Sequence, residues 1–327
     1  MFLYNTVCEV ILFEYPGDGK WILDQCEKIS VSVQNMLNIF DETSELSVLN
    51  REYVPEKWFS VSEEMFQFLQ KLMGFSALSE GAYDPTVGAL VRLWNFRAEH
   101  PVLPSEQDIL RVKKNTGYKN IRLDKERKAV SIAVPGMVLD AGGAGKGYAV
   151  GLAAEWLKLC GVTSASINYG GNLYLLGEFR AENGEKRSWR VGVQKPWAER
   201  GQSIGTLFLK DQGVATSAGY DRYFELDGKR YQHIIHPFSG CPVESEILSV
   251  SIVSESPLIT DLMSTAFFVA GISDGEKIAK RLRKQGIQVE YVVILQDKIH
   301  ISDGIKEKFL PYDNSAWNSS VLPQSLL

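Results

Sequence analysis

The segment Val138-Leu-Asp-Ala-Gly-Gly-Ala-Gly-Lys-Gly-Tyr148 constrains this chain more than any other. An apolar run from Gly136 to Leu139 ends in Asp140, and four glycines follow within six residues: Gly142, Gly143, Gly145 and Gly147. A helix-forming stretch, Ala149 to Leu159, comes next. Strand, glycine loop and helix is the order that lets a backbone approach a diphosphate. Glycine removes the Cβ that would block the approach and admits positive φ. The loop is not a Walker loop, which needs Gly where Asp140 stands and Ser or Thr where Gly147 stands. The spacing G-x-G-x-x-G is absent too. Taken alone, a tight strand-to-helix turn with no ligand explains the segment equally well.

Periodicity outlines the rest. Residues 2–14 mix β-branched and aromatic side chains and read as a first strand. Trp21, Ile22, Ile29, Val33, Met36, Leu37 and Phe40 form a helical stripe over 18–40. Ser44 to Asn50 reads as a short helical turn. Ser60-Val-Ser-Glu63 has capping-box spacing ahead of an amphipathic helix that ends near Leu78. Further helices are expected at Val87 to Phe96 and Ser105 to Lys114, and Ile121 to Asp140 alternates like a small sheet. Beyond the 149–159 helix, strand patterns flank Gly170-Gly171 and recur near 189–194, 204–210 and 213–217. Tyr223 to Tyr231 reads as a hairpin turning at Asp227-Gly228. A strand at Ile247 to Val253 precedes a helix that starts at Ser256-Pro257 and runs to about Gly271. Another helix, Gly275 to Gly286, and a last hairpin, Val289 to Leu295 with Ile299 to Ser302, follow. The expected fold class is α+β: one unit, residues 1–312, with two intimately joined lobes of mixed or antiparallel sheet and helices. The polar, Ser/Asn-rich stretch 313–327 is expected to be a loosely held tail.

Three groups carry candidate chemistry. The first is the glycine loop with Asp140 and Lys146. The second is Tyr231 to Gly240, which holds two of the four histidines beside a Pro and a Gly. His233 at a strand end suits a general base. The plainer explanation is a half-buried imidazole bonded to a backbone carbonyl, and for an isolated histidine it outweighs the first. His233 and His236 lie three apart on an extended run, so they point to opposite faces and do not share a metal. The third group is Ile259 to Thr265. Asp261 and Thr265 are one helical turn apart, and a carboxylate with a hydroxyl suits a hard cation such as Mg2+. A carboxylate complementing a helix N-terminus, with Thr265 bonded back to its own turn, accounts for the pair without a metal. Gly81 to Gly88 is a further loop rich in turn formers, and Phe40, Tyr83, Trp94 and Phe96 could stack on a planar ligand or simply pack a core.

Bulk properties exclude several classes. The net charge of −5 leaves no general basic field for nucleic acid. The four cysteines show no C-x-x-C spacing, so neither a zinc nor a redox motif is indicated. No apolar run approaches the ~20 residues of a membrane span. The opening residues lack a basic region and a continuous apolar region, so a cytoplasmic location is expected. An exported form trimmed of its leader would read identically.

Taken together and in order, these segments resemble the ApbE-type FAD:protein FMN transferase family over about residues 4–272. The agreement runs through Ser44 to Asn50, Gly81 to Phe96, Leu139 to Tyr148, Ile167 to Asn172, Ala215 to Ser217, Arg230 to Pro242 and Thr260 to Phe268. The resemblance implies transfer of FMN from FAD, with Mg2+ as cofactor, onto a Thr or Ser hydroxyl, forming a phosphoester and releasing AMP. The implied acceptor is a flavoprotein carrying a Ser/Thr-Gly-Ala-Thr type motif. By motif, Gly143, Asp261, Ser264 and Thr265 correspond to metal ligands, Gly143 through its carbonyl. Tyr4, Phe40, Ala82, Tyr83, Asp84, Asp140, Lys146 and Ile235 correspond to flavin-nucleotide contacts, and His233 to the base. Hydrolysis of FAD to FMN and AMP, or flavin binding without chemistry, are the alternatives. Two departures stand out: His236 replaces the family's usual Asp, and Ala218-Gly219 replaces its usual Gly-Asp. Both are expected to weaken the groups that support the base and the metal.

Overall fold

Strands in this chain alternate apolar side chains toward two different partners, so their sheet must be covered on both faces. Val289, Tyr291 and Val293 point into the main core, whereas Val292 and Ile294 point into a second one. Tyr174 and Leu176 take the first side, Leu175 the second. The computed structural model, described here for residues 1–181 and 183–312, shows how both faces are filled. Eight antiparallel strands form the central sheet in chain order: Phe2–Leu3, Thr6–Glu14, Ser164–Tyr169, Asn172–Leu176, Gln212–Ala218, Ser249–Ser254, Val289–Ile294 and Ile299–Ile301.

Seven α-helices are described: α1 (Gly19–Leu37), α2 (Glu45–Glu52), α3 (Glu63–Leu78), α4 (Gly88–Trp94), α5 (Glu106–Lys113), α6 (Gly145–Leu159) and α7 (Pro257–Lys284). Helices α1, α6 and α7 cover one face of the central sheet. A three-stranded sheet of Trp189–Gln194, Ser203–Leu209 and Phe309–Pro311 covers the other. Helix α3 and a small sheet, Trp58–Ser60, Ala129–Ile132 and Ile121–Asp124, complete the main core through Phe68, Leu69, Val130 and Ile132. A third cluster joins α4 to the Tyr223–Leu226/Lys229–Gln232 hairpin through Leu90, Trp94, Phe224 and Ile235. The α+β, single-unit expectation is met. The expected 313–327 tail lies outside the described residues.

Four local expectations change. Residues 2–14 form a tight hairpin rather than one strand, because Tyr4 (φ 53°) and Asn5 (φ 58°) are left-handed. Left-handed pairs of this kind make the two-residue turn that matches strand twist. Tyr4 is held there by its N–H to Gln34 Oε1 (2.8 Å) and its hydroxyl to the Ser30 carbonyl (2.6 Å). Ser60 is not a cap. It lies in a strand opposite Ala129, and Ser62 caps α3 by accepting from the Met65 N–H at 3.1 Å. Helix α6 begins at Gly145, four residues early, so two of the four glycines are helical. The two C-terminal helices form a single kinked element, α7, broken at Gly271 (φ 77°, ψ 178°).

That backbone region is open almost only to glycine, and a side chain there costs of order 1–3 kcal/mol. Gly271→Ala should therefore lower stability by about that amount. Urea unfolding measures it, and an unchanged midpoint would show that the kink relaxes into a regular helix.

Candidate active site

Two segments far apart in the chain lie side by side. Val87 and Val138 form a parallel bridge, and the Asp140 N–H donates to the Pro85 carbonyl at 2.8 Å. Gly88 allows the approach, since a Cβ there would stand 2.7 Å from the Val138 carbonyl oxygen. Asn50 clamps the same strand in both directions: its Nδ2 donates to the Leu139 carbonyl and its Oδ1 accepts from the Leu139 N–H, each at 2.8 Å. This explains the Ser44 to Asn50 motif. Ser44 caps α2, Leu46 and Leu49 anchor it in the core, and Asn50 holds the run that delivers Asp140.

Of the four loop glycines, only Gly143 uses positive φ (74°). A Cβ at Gly143 would meet Thr265 Oγ1 at 2.7 Å, so this backbone and the α7 hydroxyl are in contact. Gly147 serves close packing instead: a Cβ there would stand 2.6 Å from that of Asp261. The absence of a side chain lets the Gly147 N–H donate to Asp261 Oδ2 at 2.8 Å. Asp261 is buried, and its Oδ1 has no partner among the described residues. Ser217 donates to Ser264 Oγ at 2.9 Å, and Ser264 donates to the Asp261 carbonyl at 2.9 Å. Thr265 Oγ1 reaches the same carbonyl only at 3.5 Å. Gly143, Asp261, Ser264 and Thr265 are thus brought together.

Tyr83 closes this cluster. Its hydroxyl is fully buried and has no hydrogen-bond partner among the described residues. Burial first, then the carboxylates of Asp261, Asp140 and Asp84, push its pKa well up, so it remains a neutral donor. Burial also raises Asp140, against the Gly142 N–H (2.7 Å) and the cations Arg92 and Arg97. Arg97 stacks over the exposed ring of Phe40 with its guanidinium carbon 4.4 Å from the centroid.

His233 sits at the end of the Lys229–Gln232 strand. Its backbone N–H and its Nδ1 both lie 3.1 Å from the Arg222 carbonyl. An acceptor at Nδ1 fixes the tautomer that leaves the Nε2 lone pair free. Burial, with Arg222 and Lys146 nearby, lowers the imidazole to about 4, so it is neutral at physiological pH. Two features relate the end of this strand to α6 and α7. Lys146 precedes Gly147 and acts on His233 electrostatically. Gly219, two residues beyond Ser217, lies within 3.4 Å (as a Cβ) of both Gln232 and Phe268.

Several expected contacts are occupied within the protein. Asp84 accepts from the Thr86 N–H (2.9 Å), the Thr86 hydroxyl (2.6 Å) and the Tyr118 N–H (2.9 Å), so its carboxylate shapes the loop. The Tyr4 hydroxyl is spent on α1, and the ring stacks on Tyr169 at 6.1 Å. Ile235 packs in the third core cluster, and Ala82 is buried, so each can offer a ligand little beyond backbone. Sequence reasoning missed the Asn50 clamp, the Arg222 carbonyl and the Arg92/Arg97 pair. A signal existed only for Asn50, at the end of a recognised motif.

His236 explains one departure. Its Nδ1 accepts from the Phe238 and Ser239 N–H groups, both at 3.3 Å. An aspartate at this place would accept from the same i+2 and i+3 donors. The turn is tied to α4 as well, because Trp94 Nε1 donates to the Gly240 carbonyl at 2.8 Å.

The fold and the relatives it matches define an enzyme of the transferase class. Residues 4–290 match the ApbE family, and the chain belongs to it. A FAD:protein FMN transferase of Klebsiella pneumoniae is 33% identical over 255 residues, which cover 78% of this chain and 77% of that one. The ApbE protein of Thermotoga maritima has a TM-score of 0.83 at 29% identity, covering 94% of this chain and 97% of that one. The flavin transferase ApbE from Vibrio cholerae has a TM-score of 0.81 at 25% identity, over 94% and 96%. No described helix is long and apolar enough to cross a membrane.

His236→Asp should keep the turn and the activity, whereas His236→Leu, which lacks the acceptor, should cost about 1–3 kcal/mol of stability. Burial depresses the His236 pKa, so its contribution is complete above the unfolded value near ~6.5 and is lost as pH falls through the lower folded value. Thermal melting of the three proteins between neutral and acidic pH measures both effects. Equal stability of wild type and His236→Leu would deny the imidazole its capping role.

Proposed function

We propose that this protein transfers FMN from FAD to a Thr or Ser hydroxyl of an acceptor flavoprotein, forming a phosphoester and releasing AMP. The observation that carries the reading is His233: a neutral imidazole, oriented by a backbone carbonyl, with Nε2 free and Lys146 acting on the ring electrostatically. A threonine hydroxyl is a weak nucleophile, and a base with an unoccupied nitrogen is what it needs. In the reaction the acceptor Oγ bonds to the FMN phosphorus, the diphosphate P–O bond breaks, and AMP leaves with the electron pair. His233 Nε2 takes the hydroxyl proton.

The remaining residues bind and orient. Lys146 and the first turn of α6 present positive charge to the diphosphate. Phe40 with Arg97, and the backbone of Ala82, Tyr83 and Asp84, line the entry for the planar part of FAD. Asp140 and Tyr83 border the same space. The donor set fits Mg2+: one free carboxylate oxygen on Asp261, the hydroxyls of Ser264 and Thr265, and the Gly143 carbonyl are all hard oxygens. The unpartnered Tyr83 hydroxyl beside them is what a site awaiting a ligand would hold. When bound, Mg2+ supplies charge neutralisation for the diphosphate. With one carboxylate in the set, the ion would keep waters and lean on phosphate oxygens.

The assay is incubation with FAD, Mg2+ and an acceptor flavoprotein bearing the Ser/Thr-Gly-Ala-Thr segment. Covalently fluorescent acceptor with AMP in equal amount is expected. Free FMN and AMP without modified acceptor would mean hydrolysis, and intact bound FAD would mean binding alone. His233→Ala should bind FAD normally and lose turnover by about 100-fold or more. The base works only when deprotonated, so kcat/KM should fall on acidification with a limb near about 4. A limb near ~6.5 would mean another base or another environment. Asp261→Asn keeps an acceptor for the Gly147 N–H but loses charge. It should raise the half-saturating Mg2+ concentration about tenfold. A superimposable Mg2+ titration would remove Asp261 from the metal set.

A further inference from the structure

Helices α3, α6 and α7 enclose a cleft of about 730 Å³. Neither His233, Lys146 and Asp140 nor the Gly143/Asp261/Thr265 cluster lines it. The volume falls within the ~300–1,000 Å³ of small-molecule sites. The walls are mainly aliphatic and aromatic: Phe75 and Leu78 of α3, Leu152 of α6, Leu258 and Leu262 of α7, and Ile287 just beyond it. Along α6 the lining runs from Tyr148 to Lys158, a rise of about 15 Å, so the space is elongated.

Two glycines widen it. Gly74 and Gly151 stand in the interiors of α3 and α6, where glycine is a poor helix former. Gly147, also helical, is required by close packing against Asp261. No such reason exists at the other two: a Cβ at Gly74 or Gly151 would meet nothing within 4 Å. What the two share is the open space in front of them, since both line the cleft.

Polar donors meet at one end. Tyr148 is only 5% exposed, and its hydroxyl has no hydrogen-bond partner among the described residues. Burial raises its pKa, and Glu64 and Glu155 add to the effect, so the hydroxyl remains a neutral donor. A buried donor without an acceptor is costly. The Lys71 ammonium stands 5.2 Å from the centroid of the same ring and forms no ion pair among the described residues. Glu155 and Glu255 also line the cleft, but both are exposed to solvent and neither is bonded to Lys71 or Tyr148. At the far end Lys158 lies 4.8 Å over the Tyr174 ring. An ammonium and a hydroxyl side by side match an anionic acceptor, and the apolar length beyond them matches an aliphatic chain.

We propose that this cleft binds a single-chain carboxylate, a fatty-acid-like amphiphile. Its carboxylate accepts from Lys71 Nζ and the Tyr148 hydroxyl, and its chain lies against Gly74, Gly151 and the leucines of α6 and α7.

The test is isothermal titration calorimetry of the full chain with dodecanoate, dodecylamine and dodecyl maltoside, each below its micelle-forming concentration. Dodecanoate should bind one per chain, about tenfold or more tighter than the amine or the maltoside. Lys71→Glu should turn the preference toward the amine, and Tyr148→Phe should weaken dodecanoate by about fivefold or more. Gly151→Leu should fill the cleft and abolish binding, while the melting temperature holds or rises because leucine is the better helix former. Equal affinity for the three head groups, or tighter binding of the amine to the wild type, would overturn the carboxylate assignment. Undiminished dodecanoate binding in both Gly74→Leu and Gly151→Leu would place the ligand elsewhere and overturn the site, as would the absence of saturable heat. A dimer in sedimentation that Gly151→Leu dissociates, with no amphiphile bound, would put a second copy of the chain in the cleft instead.

Discussion

One buried hydrogen bond organises the candidate site: the Gly147 N–H of α6 to the Asp261 carboxylate of α7. A charge-assisted bond of this kind contributes about 1.5–3 kcal/mol, and the buried carboxylate would be costly without it. Its geometry has wider consequences. It packs the first turn of α6 against the start of α7, which demands glycine at 147. It sets the first turn of α6, which carries Lys146, beside the turn of α7 that carries Thr265. It also leaves one carboxylate oxygen unspent, beside hydroxyls and a carbonyl of the same hard character.

The two plain explanations weighed against function in the sequence both hold, and neither excludes function. His233 is indeed bonded to a backbone carbonyl, and that bond gives the ring its tautomer. Asp261 does complement a helix N-terminus, although that of α6 rather than its own. Orienting bonds and reactive groups are parts of one arrangement, because a base or ligand that is free to rotate spends its binding energy on being ordered. His236 carries the same lesson. An unusual residue need not weaken a site when its ring nitrogen accepts from the same two N–H groups that a carboxylate would.

The residues around Asp140, His233 and Asp261 were legible because each sits in a short motif whose spacing survives without neighbours. The elements were legible for the same reason: α1, α3 and the 223–232 hairpin follow local periodicity and turn chemistry. Where reading failed, a distant partner had decided. Tyr4 breaks the first strand because Gln34 and Ser30 hold it in a left-handed turn. Gly145 and Gly147 look like loop residues, since glycine disfavours helices, yet packing against Leu37 and Asp261 makes them helical.

Sequence alone determined the α+β class, the order of the motifs and the residue types gathered at the candidate site, because periodicity and side-chain chemistry are local properties. Tertiary structure decided which atoms remain free. Asn50 reaches Leu139 across 89 residues, and Gly147 reaches Asp261 across 114. The Arg222 carbonyl that orients His233 belongs to a backbone that every residue shares. A backbone acceptor has no letter in the sequence, and a long-range contact has no spacing. Both become definite only when the chain has closed on itself.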